Sequence, residues 1–409
     1  MLSREENELL TRVGPGTPMG ELMRRYWLPA LLSEEIPVAD RPPVRVRLLG
    51  EDLVAFRNSE GRIGLLAEHC SHGGTSLFYG RNEECGLRCI YHGWKYDVAG
   101  NVLETPAEPP ESTLKNRLRH TAYPCREAAG VIFAYLGPKQ RMPLFPNYEW
   151  LTAPPGFVSI TAKFFNECNY LQALEGDCDS SHINYLHRGS IGAGDFRESG
   201  APEFEFEPTF FGTRAAAIRK LPGGKNNVRT SCFVFPCIGC VPVGKIINGK
   251  LDGFQSVYQV PADNYNTWRY NIRHRRSAPI GNDEIEPHRR QITTGYLKVA
   301  NRNNDYLIDR QKQRGGLFPG VEGIATQDAC ATESMGKIYD RTREHLGASD
   351  AYVIAVRKYL IKAVRDLEQG IDPPGLVWEE SKNNFSGVDC IDATIPEDIS
   401  WKQLFDGKN

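Results

Sequence analysis

Residues 70–97, CSHGGTSLFYGRNEECGLRCIYHGWKYD, contain two ligand pairs, Cys70-Ser-His72 and Cys89-Ile-Tyr-His92. Each pair offers one thiolate and one imidazole from a short turn. A Cys2His2 zinc site is one interpretation, but zinc fingers pair cysteine with cysteine and histidine with histidine. The mixed pairing is typical of a [2Fe–2S] cluster in which two cysteines hold one iron and two histidines hold the other. The sequence therefore predicts an iron–sulfur cluster in the first third of the chain.

The chain around these ligands is rich in short strands. Polarity alternates over residues 44–57 and breaks at Gly50-Glu-Asp52, which indicates a hairpin. Glycine, proline or asparagine bounds the other predicted strands, which cover residues 63–67, 86–90, 94–97, 102–104 and 131–136. This pattern predicts a small all-β domain around the cluster.

A proline-rich stretch, residues 138–156, separates this region from one of mixed pattern. Residues 157–169 and 253–276 alternate as strands do, whereas residues 168–188, 326–345 and 350–369 have the composition of helices. The predicted fold class is therefore α+β, with a small all-β domain and a second domain of sheet and helices. The predicted divisions are an N-terminal helix that packs on the second domain (1–25), a cluster domain (26–140) and the second domain itself (156–409).

Composition excludes several classes of protein. The 409 residues carry 49 basic and 51 acidic side chains, so no overall basic field is present to hold nucleic acid or an anionic membrane. The aromatic content of 10% excludes global disorder. The first residues are charged where a signal peptide is apolar, and no apolar run approaches the ~18 residues of a membrane span. We expect a cytoplasmic protein whose 11 cysteines are free thiols or metal ligands.

A second set of ligands is expected in the stretch Asp179-Ser-Ser-His182-Ile-Asn-Tyr-Leu-His187. His182 and His187 are about one and a half helical turns apart, so a small distortion aims both rings at one ion. A lone pair of this spacing is more often structural, but the iron–sulfur motif upstream favours a metal site. Two histidines and one carboxylate form the ligand set of non-heme Fe(II) oxygenases, which leaves positions open for O2 and substrate.

The third ligand should be a distant carboxylate, since the two histidines already lie together on one element. Residues 326–345 offer Asp328, Glu333 and Asp340, and the residues alone leave the choice open. A solvated acidic helix face explains Glu333 and Asp340 better than metal binding does.

A group of basic residues follows one of the predicted strands. Aromatic acids need a cationic partner, but a solvated strand face is the simpler interpretation of most of this group. Its members are Arg269, Arg273, Arg275 and Arg276.

The motifs resemble those of a known family, the Rieske non-heme iron oxygenases. Its two cluster turns are similar to Cys70-Ser-His-Gly-Gly-Thr-Ser-Leu77 and Cys89-Ile-Tyr-His-Gly-Trp-Lys-Tyr-Asp97. Members usually carry proline and arginine where Ser71 and Gly73 stand, and neither position is a ligand. The stretch Asn169-Tyr-Leu-Gln-Ala-Leu-Glu-Gly-Asp-Cys-Asp179 resembles the phthalate-dioxygenase-like branch. Within that branch the chain looks most like dehydrodivanillate-type O-demethylases.

The resemblance implies one Rieske [2Fe–2S] cluster and one mononuclear Fe(II) per chain, on a helix-grip catalytic domain. It selects Asp328 as the third ligand, because Gln327-Asp-Ala-Cys-Ala-Thr-Glu333 resembles the helix that supplies it. It also implies homotrimers, sometimes stacked into hexamers, in which one chain's cluster lies near its neighbour's mononuclear iron. Asp179 would then accept hydrogen bonds from His182 and from the neighbouring chain's His92. The simpler alternative is that Asp179 only caps a helix.

Three functions are carried forward from these observations. The first is oxidative O-demethylation of a methoxylated, lignin-derived biaryl or aromatic acid by the oxygenase component of a multicomponent system. The second is cis-dihydroxylation of a phthalate-like ring. A more remote third is an electron carrier that holds the cluster alone. Because the chain carries no G-x-G-x-x-G fingerprint, a separate ferredoxin or NAD(P)H-dependent reductase is expected to supply the electrons.

Overall fold

The computed structural model describes residues 1–190, 200–247 and 250–405. Its first part has two short helices followed by small antiparallel sheets. The helices are α1 (Arg4–Thr11) and α2 (Pro18–Met23). The strands are β1 (Trp27–Leu32), β2 (Val44–Leu48), β3 (Glu51–Arg57), β4 (Ile63–Ala67), β5 (Arg81–Glu83), β6 (Gly86–Arg88), β7 (Lys95–Tyr96), β8 (Val102–Glu104), β9 (Cys125–Ala128) and β10 (Val131–Tyr135).

Three antiparallel sheets make up this part. They have the orders β1-β10-β9, β2-β3-β4 and β5-β6-β7-β8. The predicted hairpin is present, but its turn lies at Leu49-Gly50, both with positive φ, so β3 begins at Glu51. The left-handed conformation at both positions matches the twist of the paired strands.

The rest of the described chain forms a larger sheet, a separate two-stranded sheet and helices. The helices are α3 (Glu149–Thr152), α4 (Tyr170–Cys178), α5 (Asn282–Arg289), α6 (Arg310–Arg314), α7 (Ile324–Ser334) and α8 (Ala351–Glu368). The strands are β11 (Val158–Asn166), β12 (Glu203–Thr209), β13 (Gly212–Leu221), β14 (Lys225–Val234), β15 (Ile238–Val241), β16 (Ile246–Ile247), β17 (Lys250–Leu251), β18 (Gln255–Pro261), β19 (Thr267–His274) and β20 (Asp392–Pro396).

The eight-stranded antiparallel sheet has the order β11-β19-β18-β15-β14-β13-β12, and β20 pairs with the first half of β14. The separate two-stranded sheet consists of β16 and β17. Helix α4 lies against β14, β15 and β18, while α7 and α8 pack on α4. The helices α1 and α2 contact α8, and α1 also contacts α4. Helix α4 is therefore held between the sheet and a layer of other helices. The division of the chain at residues 25, 140 and 156 stays a prediction.

Hydrophobic packing separates the cluster loops from the main core. One continuous core joins α1, α2, β1 and β10 to the large sheet and α8. A smaller core beside the cluster motifs is built from Val54, Phe56, Leu87, Trp94 and neighbouring side chains, and it includes both motif cysteines. The cluster loops are thus fixed by their own packing, while the base of the same domain is joined to the large sheet.

Two predicted helices are shorter than their composition indicated. The helix predicted over 168–188 ends at Cys178, because the following Asp-Ser-Ser sequence offers side-chain acceptors that compete with helical hydrogen bonds. The helix predicted over 326–345 ends at Ser334, just before Gly336 with its φ of +95°. The prediction for 350–369 is confirmed by α8, which ends near Gly370 in the left-handed conformation that closes helices.

The expectation of a solvated acidic helix face is wrong for Glu333. This residue is fully buried at the end of α7, where it accepts hydrogen bonds from the Glu167 N–H and the Lys298 Nζ, each at 2.8 Å, and from the Tyr306 hydroxyl. Burying a carboxylate is tolerated only when charged and hydrogen-bonding partners replace water. Glu333 thus anchors α7 to the end of β11. Asp340 is exposed and caps the short turn that follows, as a solvated residue should.

In the described part of the chain, none of the helices is long and apolar enough to cross a membrane.

Candidate metal centres

The two cluster motifs lie on loops of the same construction. The Gly74 N–H donates to the Cys70 carbonyl and the Gly93 N–H to the Cys89 carbonyl, at 2.8 and 3.2 Å. Both glycines have positive φ, +77° and +74°, which glycine adopts without steric cost. Each loop therefore turns sharply after its cysteine and carries the histidine back towards the same point.

The side chains of the two loops converge with thiols inside and imidazoles outside. Cys70 and Cys89 are buried, His72 is exposed, and His92 is half-buried. The ring centroids of the two imidazoles are 4.6 Å apart. The His92 Nδ1 is buried and has no hydrogen-bond partner among the described residues, which leaves it free for a metal. Two thiols and two imidazoles brought together in this way fit a Rieske cluster.

A hydroxyl group lies beside the buried sulfur atoms. The Tyr96 hydroxyl oxygen is 3.0 Å from the Cys70 Sγ and 3.1 Å from the Ser71 Oγ. When Cys70 is a thiolate ligand, it has no proton to donate, so the hydroxyl must donate to the sulfur. Hydrogen bonds to ligand sulfur are among the features that set the potential of an iron–sulfur cluster.

The second centre forms where α4 ends and α7 begins. His182, His187 and Asp328 each offer one ligand atom, and these atoms all lie within 4.8 Å of one another. The His187 Nε2 is 3.1 Å from both the His182 Nε2 and the Asp328 Oδ1, and the His182 Nε2 is 3.8 Å from that oxygen. Two imidazoles and a carboxylate at this separation fit a single iron ion. The structure thus brings together three of the residues named from the sequence.

The path between the two histidines differs from the expected helix. Helix α4 ends at Cys178, and His182 begins a separate 3-10 turn, His182–Asn184, before the chain reaches His187. The two rings meet because the chain turns between them, with centroids 4.8 Å apart. The prediction of one distorted helix across both residues is therefore wrong, although the convergence of the rings is as expected.

Gln327 fixes the tautomer of His187 and was missed from the sequence. Its Nε2 lies 2.7 Å from the Val321 carbonyl oxygen, so this end of the amide must donate. The other end, Oε1, must then accept the hydrogen of the His187 Nδ1 at 2.8 Å. The His187 Nε2 is left with its lone pair facing the ligand group, an arrangement common around metal-binding histidines. Nothing in the sequence except its place beside Asp328 marks this glutamine.

Asp328 is ionised despite being buried. Burial by itself would raise the pKa of Asp328, but the positive charge of Arg269 helps to bring that pKa below its usual value. The Arg269 Nη1 lies 3.1 Å from the Asp328 Oδ2. The carboxylate is therefore charged and ready to bind a cation.

Asp179 directly follows α4 and contacts the other metal-binding histidine. Its Oδ2 lies 3.5 Å from the His182 Nδ1, and its Oδ1 accepts a hydrogen bond from the Ser181 N–H at 2.6 Å. Burial favours the neutral acid, but His182 and the neighbouring backbone N–H groups lower the pKa of Asp179. Asp179 therefore has both a local structural contact and a contact with the metal ligand.

A cavity of about 500 Å³ opens over the three ligand residues. Arg269 and Arg273 line it and are buried, as is Arg275 behind it, so the expected solvated strand face is wrong for these three; only Arg276 is exposed. Alternation along β19 and the bend after it turn these side chains inward, where carboxylates meet them. The positive charge of these arginines also affects His288. Burial lowers the pKa of His288, and the charges of Arg273 and Arg269 lower it further, to about 4.

A second opening reaches the site from the side of Asp179. Its lining is mainly apolar and includes Leu186, Met335 and Leu346 beside His182. In the described part of the chain, the residues that line either opening belong to residues 172–392, so the cluster domain contributes none.

Comparison with known proteins agrees with these two centres. A model of the Rieske [2Fe–2S] domain matches residues 26–123, and a model described as LigXa C-terminal domain like matches residues 134–408. The phthalate 4,5-dioxygenase oxygenase subunit of Pseudomonas putida is 36% identical over 98% of this chain and 94% of that protein. The 3-chlorobenzoate-3,4-dioxygenase oxygenase subunit of Comamonas testosteroni is 35% identical over 99% of this chain and 98% of its own length.

A demethylase is also similar. The 5,5'-dehydrodivanillate O-demethylase oxygenase subunit of Sphingobium sp. is 31% identical over 94% of this chain and 85% of that protein. Among solved structures, Pseudomonas putida CBB5 NdmA with caffeine matches with a TM-score of 0.65 and 18% identity over 86% of this chain and 94% of that one. At this identity the match supports the fold alone.

These findings confirm the resemblance, the α+β fold class and the pair of cofactors expected from the sequence. The chain belongs to the Rieske non-heme iron oxygenases, as an oxygenase component with a Rieske [2Fe–2S] domain and a catalytic iron site.

Proposed function

We propose that this oxygenase acts on an aromatic carboxylate, and that its reaction is oxidative O-demethylation of a methoxylated, lignin-derived aromatic or biaryl acid. The observation that carries the proposal is a buried arginine, Arg273, in the cavity above His182, His187 and Asp328. The demethylase relative supports the reaction, and the size of the cavity supports it further, because about 500 Å³ leaves room for a second ring.

Arg273 has the least compensated charge of the arginines that line the cavity. Arg229 pairs with Asp392, and Arg269 pairs with Asp177 and Asp328. The nearest carboxylate to Arg273 is that of Glu284, at 3.7 Å.

Glu284 is itself shared with another cation, since its Oε1 lies 3.1 Å from Arg275. The Arg273 Nε is buried and has no hydrogen-bond partner among the described residues. A substrate carboxylate would supply the missing charge.

The ligand sets follow from the two centres. Cys70, His72, Cys89 and His92 hold the cluster, and the mononuclear iron is held by the triad His182, His187 and Asp328. When bound, that iron supplies the site at which O2 is reduced. One oxygen atom of O2 enters a methyl C–H bond of the substrate, and the other leaves as water with two electrons from the donor chain and two protons. The resulting hemiacetal breaks into a phenol and formaldehyde.

Electrons reach the triad from the cluster of a neighbouring chain in a homotrimer or a stacked hexamer. Two surfaces support this arrangement. Ile90 and Tyr91 are exposed at the tip of the cluster domain, beside His92. The apolar opening beside Asp179 receives no residue from its own chain's cluster domain in the part that the structure describes.

Asp179 connects the two centres when these surfaces meet. One of its oxygens contacts His182 within the chain, and its ionised carboxylate can accept a second hydrogen bond from the neighbouring chain's His92. The first donor in the route is a separate ferredoxin or NAD(P)H-dependent reductase. A solved carbazole 1,9a-dioxygenase complex contains such a ferredoxin with an oxygenase of the same fold, with a TM-score of 0.58 and 20% identity over 87% of this chain and 95% of that one.

A second candidate reaction is cis-dihydroxylation of the ring. It is favoured by the names of the phthalate and 3-chlorobenzoate dioxygenase relatives, which are 36% and 35% identical to this chain. Both reactions use the same ligand set, so the substrate decides between them.

Turnover on a matched panel distinguishes the two reactions. We expect methoxylated aromatic and biaryl acids to release formaldehyde in proportion to the O2 consumed, because the oxygen atom enters the methyl group. Formaldehyde is measured by a colorimetric assay, and the demethylated acid by mass spectrometry. Phthalate and benzoate without methoxy groups serve as controls. If these controls are converted to diols and the methoxylated acids are not attacked, demethylation is the wrong reaction.

Alanine at each cluster ligand should remove the reddish chromophore, since a [2Fe–2S] centre needs all four donors. Alanine at His182, His187 or Asp328 should instead leave the chromophore intact and remove only the mononuclear iron. Visible absorption and iron per chain, measured by mass spectrometry, report the two centres separately. Asp340→Ala is the control for loss of an acidic side chain in the same region. Full iron and full turnover in Asp328→Ala would show that another carboxylate is the ligand.

Asp179→Asn tests the connection between the centres. Asparagine keeps the acceptor for the Ser181 N–H but removes the charge, so both centres should remain loaded and the local fold unchanged. Turnover should fall by orders of magnitude, while the cluster is still reduced by its donor. Single-turnover oxidation of the pre-reduced cluster, with substrate and O2 present, measures the step directly. Reoxidation at the rate of the unmodified enzyme would leave Asp179 with the capping role alone.

Arg273→Gln tests the carboxylate anchor. A hydrogen bond to a charged group is worth about 1.5–3 kcal/mol, so KM for the acid should rise about 10- to 100-fold, with a smaller change in kcat. The preference for the acid over its primary amide should disappear in the same variant. Arg276→Gln is the matched control, because Arg276 is exposed and binds Glu149 and Asp389 outside the cavity. An unchanged KM and an unchanged preference would place the anchor elsewhere.

A further inference from the structure

Arg269 is a buried arginine held at three points beside the mononuclear site. Its Nη1 lies 3.1 Å from the Asp328 Oδ2, and its Nη2 lies 3.4 Å from the Asp177 Oδ1. Its Nε donates to the Asn271 Oδ1 at 2.9 Å. The planar guanidinium fork therefore has one fixed orientation, in which one arm points at the metal-binding carboxylate.

The two oxygens of Asp328 have different partners. Oδ1 faces the imidazoles, 3.1 Å from the His187 Nε2 and 3.8 Å from the His182 Nε2. Oδ2 accepts the charged hydrogen bond from Arg269. An oxygen that accepts such a bond has a lone pair directed at the arginine and is a poorer donor to a second cation.

We propose that Arg269 is a positioning residue that restricts Asp328 to binding iron through Oδ1 alone. The inference rests on the proposed ligand set of His182, His187 and Asp328. A carboxylate that binds through one oxygen leaves one more coordination position free than a chelating carboxylate does. Arg269 thereby keeps a position open for O2 or substrate beside the two imidazoles.

Asp177, on α4, holds the other arm of Arg269 and packs against the sheet. Its side chain is 6% exposed, and its Oδ2 accepts a hydrogen bond from the Gln259 Nε2 at 2.6 Å. Gly239 on β15 passes so close that an added Cβ would lie 2.7 Å from the Asp177 Cβ. Asp177 is not part of the group of possible ligand atoms among the described residues. It serves as the fixed support from which the guanidinium reaches Asp328.

The denticity of Asp328 can be measured on the protein with Co(II) in the mononuclear site. Cobalt K-edge X-ray absorption sees that metal alone, because the cluster contains only iron. A chelating carboxylate places its carbon atom close to the metal and adds a short cobalt–carbon path, which a single-oxygen carboxylate lacks. The unmodified protein should show two imidazoles and no such path.

Arg269→Gln and Arg269→Lys should both gain the short path, since neither side chain has the rigid fork that binds Asn271, Asp177 and Asp328 in one fixed orientation. Turnover with Fe(II) should fall about 10- to 100-fold in both, as is usual when a partner of a metal ligand is removed. Lysine keeps the buried positive charge. The cobalt spectrum of the lysine variant therefore tests the role of Arg269 even if the glutamine variant does not fold. The matched control is Arg275→Gln, which removes a buried arginine bound to Asp252 and Glu284 outside the cavity. It should keep the spectrum of the unmodified protein.

Two failures are distinguishable. A short cobalt–carbon path in the unmodified protein, or its absence from both Arg269 variants, overturns the role of Arg269 while the imidazole scattering upholds the ligand set. A cobalt spectrum without two imidazoles overturns the ligand set itself, and the role of Arg269 with it.

Discussion

An ionised carboxylate, Asp328, lies buried against two imidazoles, and the surrounding structure is arranged to keep it there. A buried charge persists only where opposite charges and hydrogen bonds replace water. Arg269 supplies both directly at Asp328. Further along the same helix, Glu333 is fully buried and binds Lys298, which fixes α7 against the end of β11. The position of one ligand therefore depends on ion pairs at the middle and near the end of a single helix.

The two metal centres differ in which of their groups face the surface. In the cluster domain the thiols are buried and the imidazoles face outward, so the cluster is accessible through the edges of its histidines. In the catalytic domain the openings to the triad are lined by residues of that domain in the part of the chain that the structure describes. A chain built in this way presents an electron donor on one surface and an electron acceptor behind another. In the assembly proposed above, the two surfaces come together at Asp179.

Much of this could be predicted from the sequence, because ligand chemistry is local. Each of the two short turns pairs one cysteine with one histidine, and this mixed pairing favoured an iron–sulfur cluster over a zinc site. Helix α8 was visible from its apolar face and the glycine that ends it. The third ligand was not decidable from the residues, since Asp328, Glu333 and Asp340 all lie in one acidic stretch. The burial and the partners of these three carboxylates differ, but only the folded structure shows this. The inward-facing arginines of β19 and the contact between Gln327 and His187 depend on how distant elements pack, which no local pattern reports.

We expect this chain to hold a mononuclear iron in addition to its cluster, and its turnover to depend on that iron. Iron per chain, measured beside the spin count of the reduced cluster, tests this expectation most directly. The account predicts about three irons per chain, of which two belong to the cluster, and loss of turnover when the third is removed by a chelator. Saturation at about two irons per chain, with turnover indifferent to added Fe(II), would contradict it and leave the cluster as the sole metal centre.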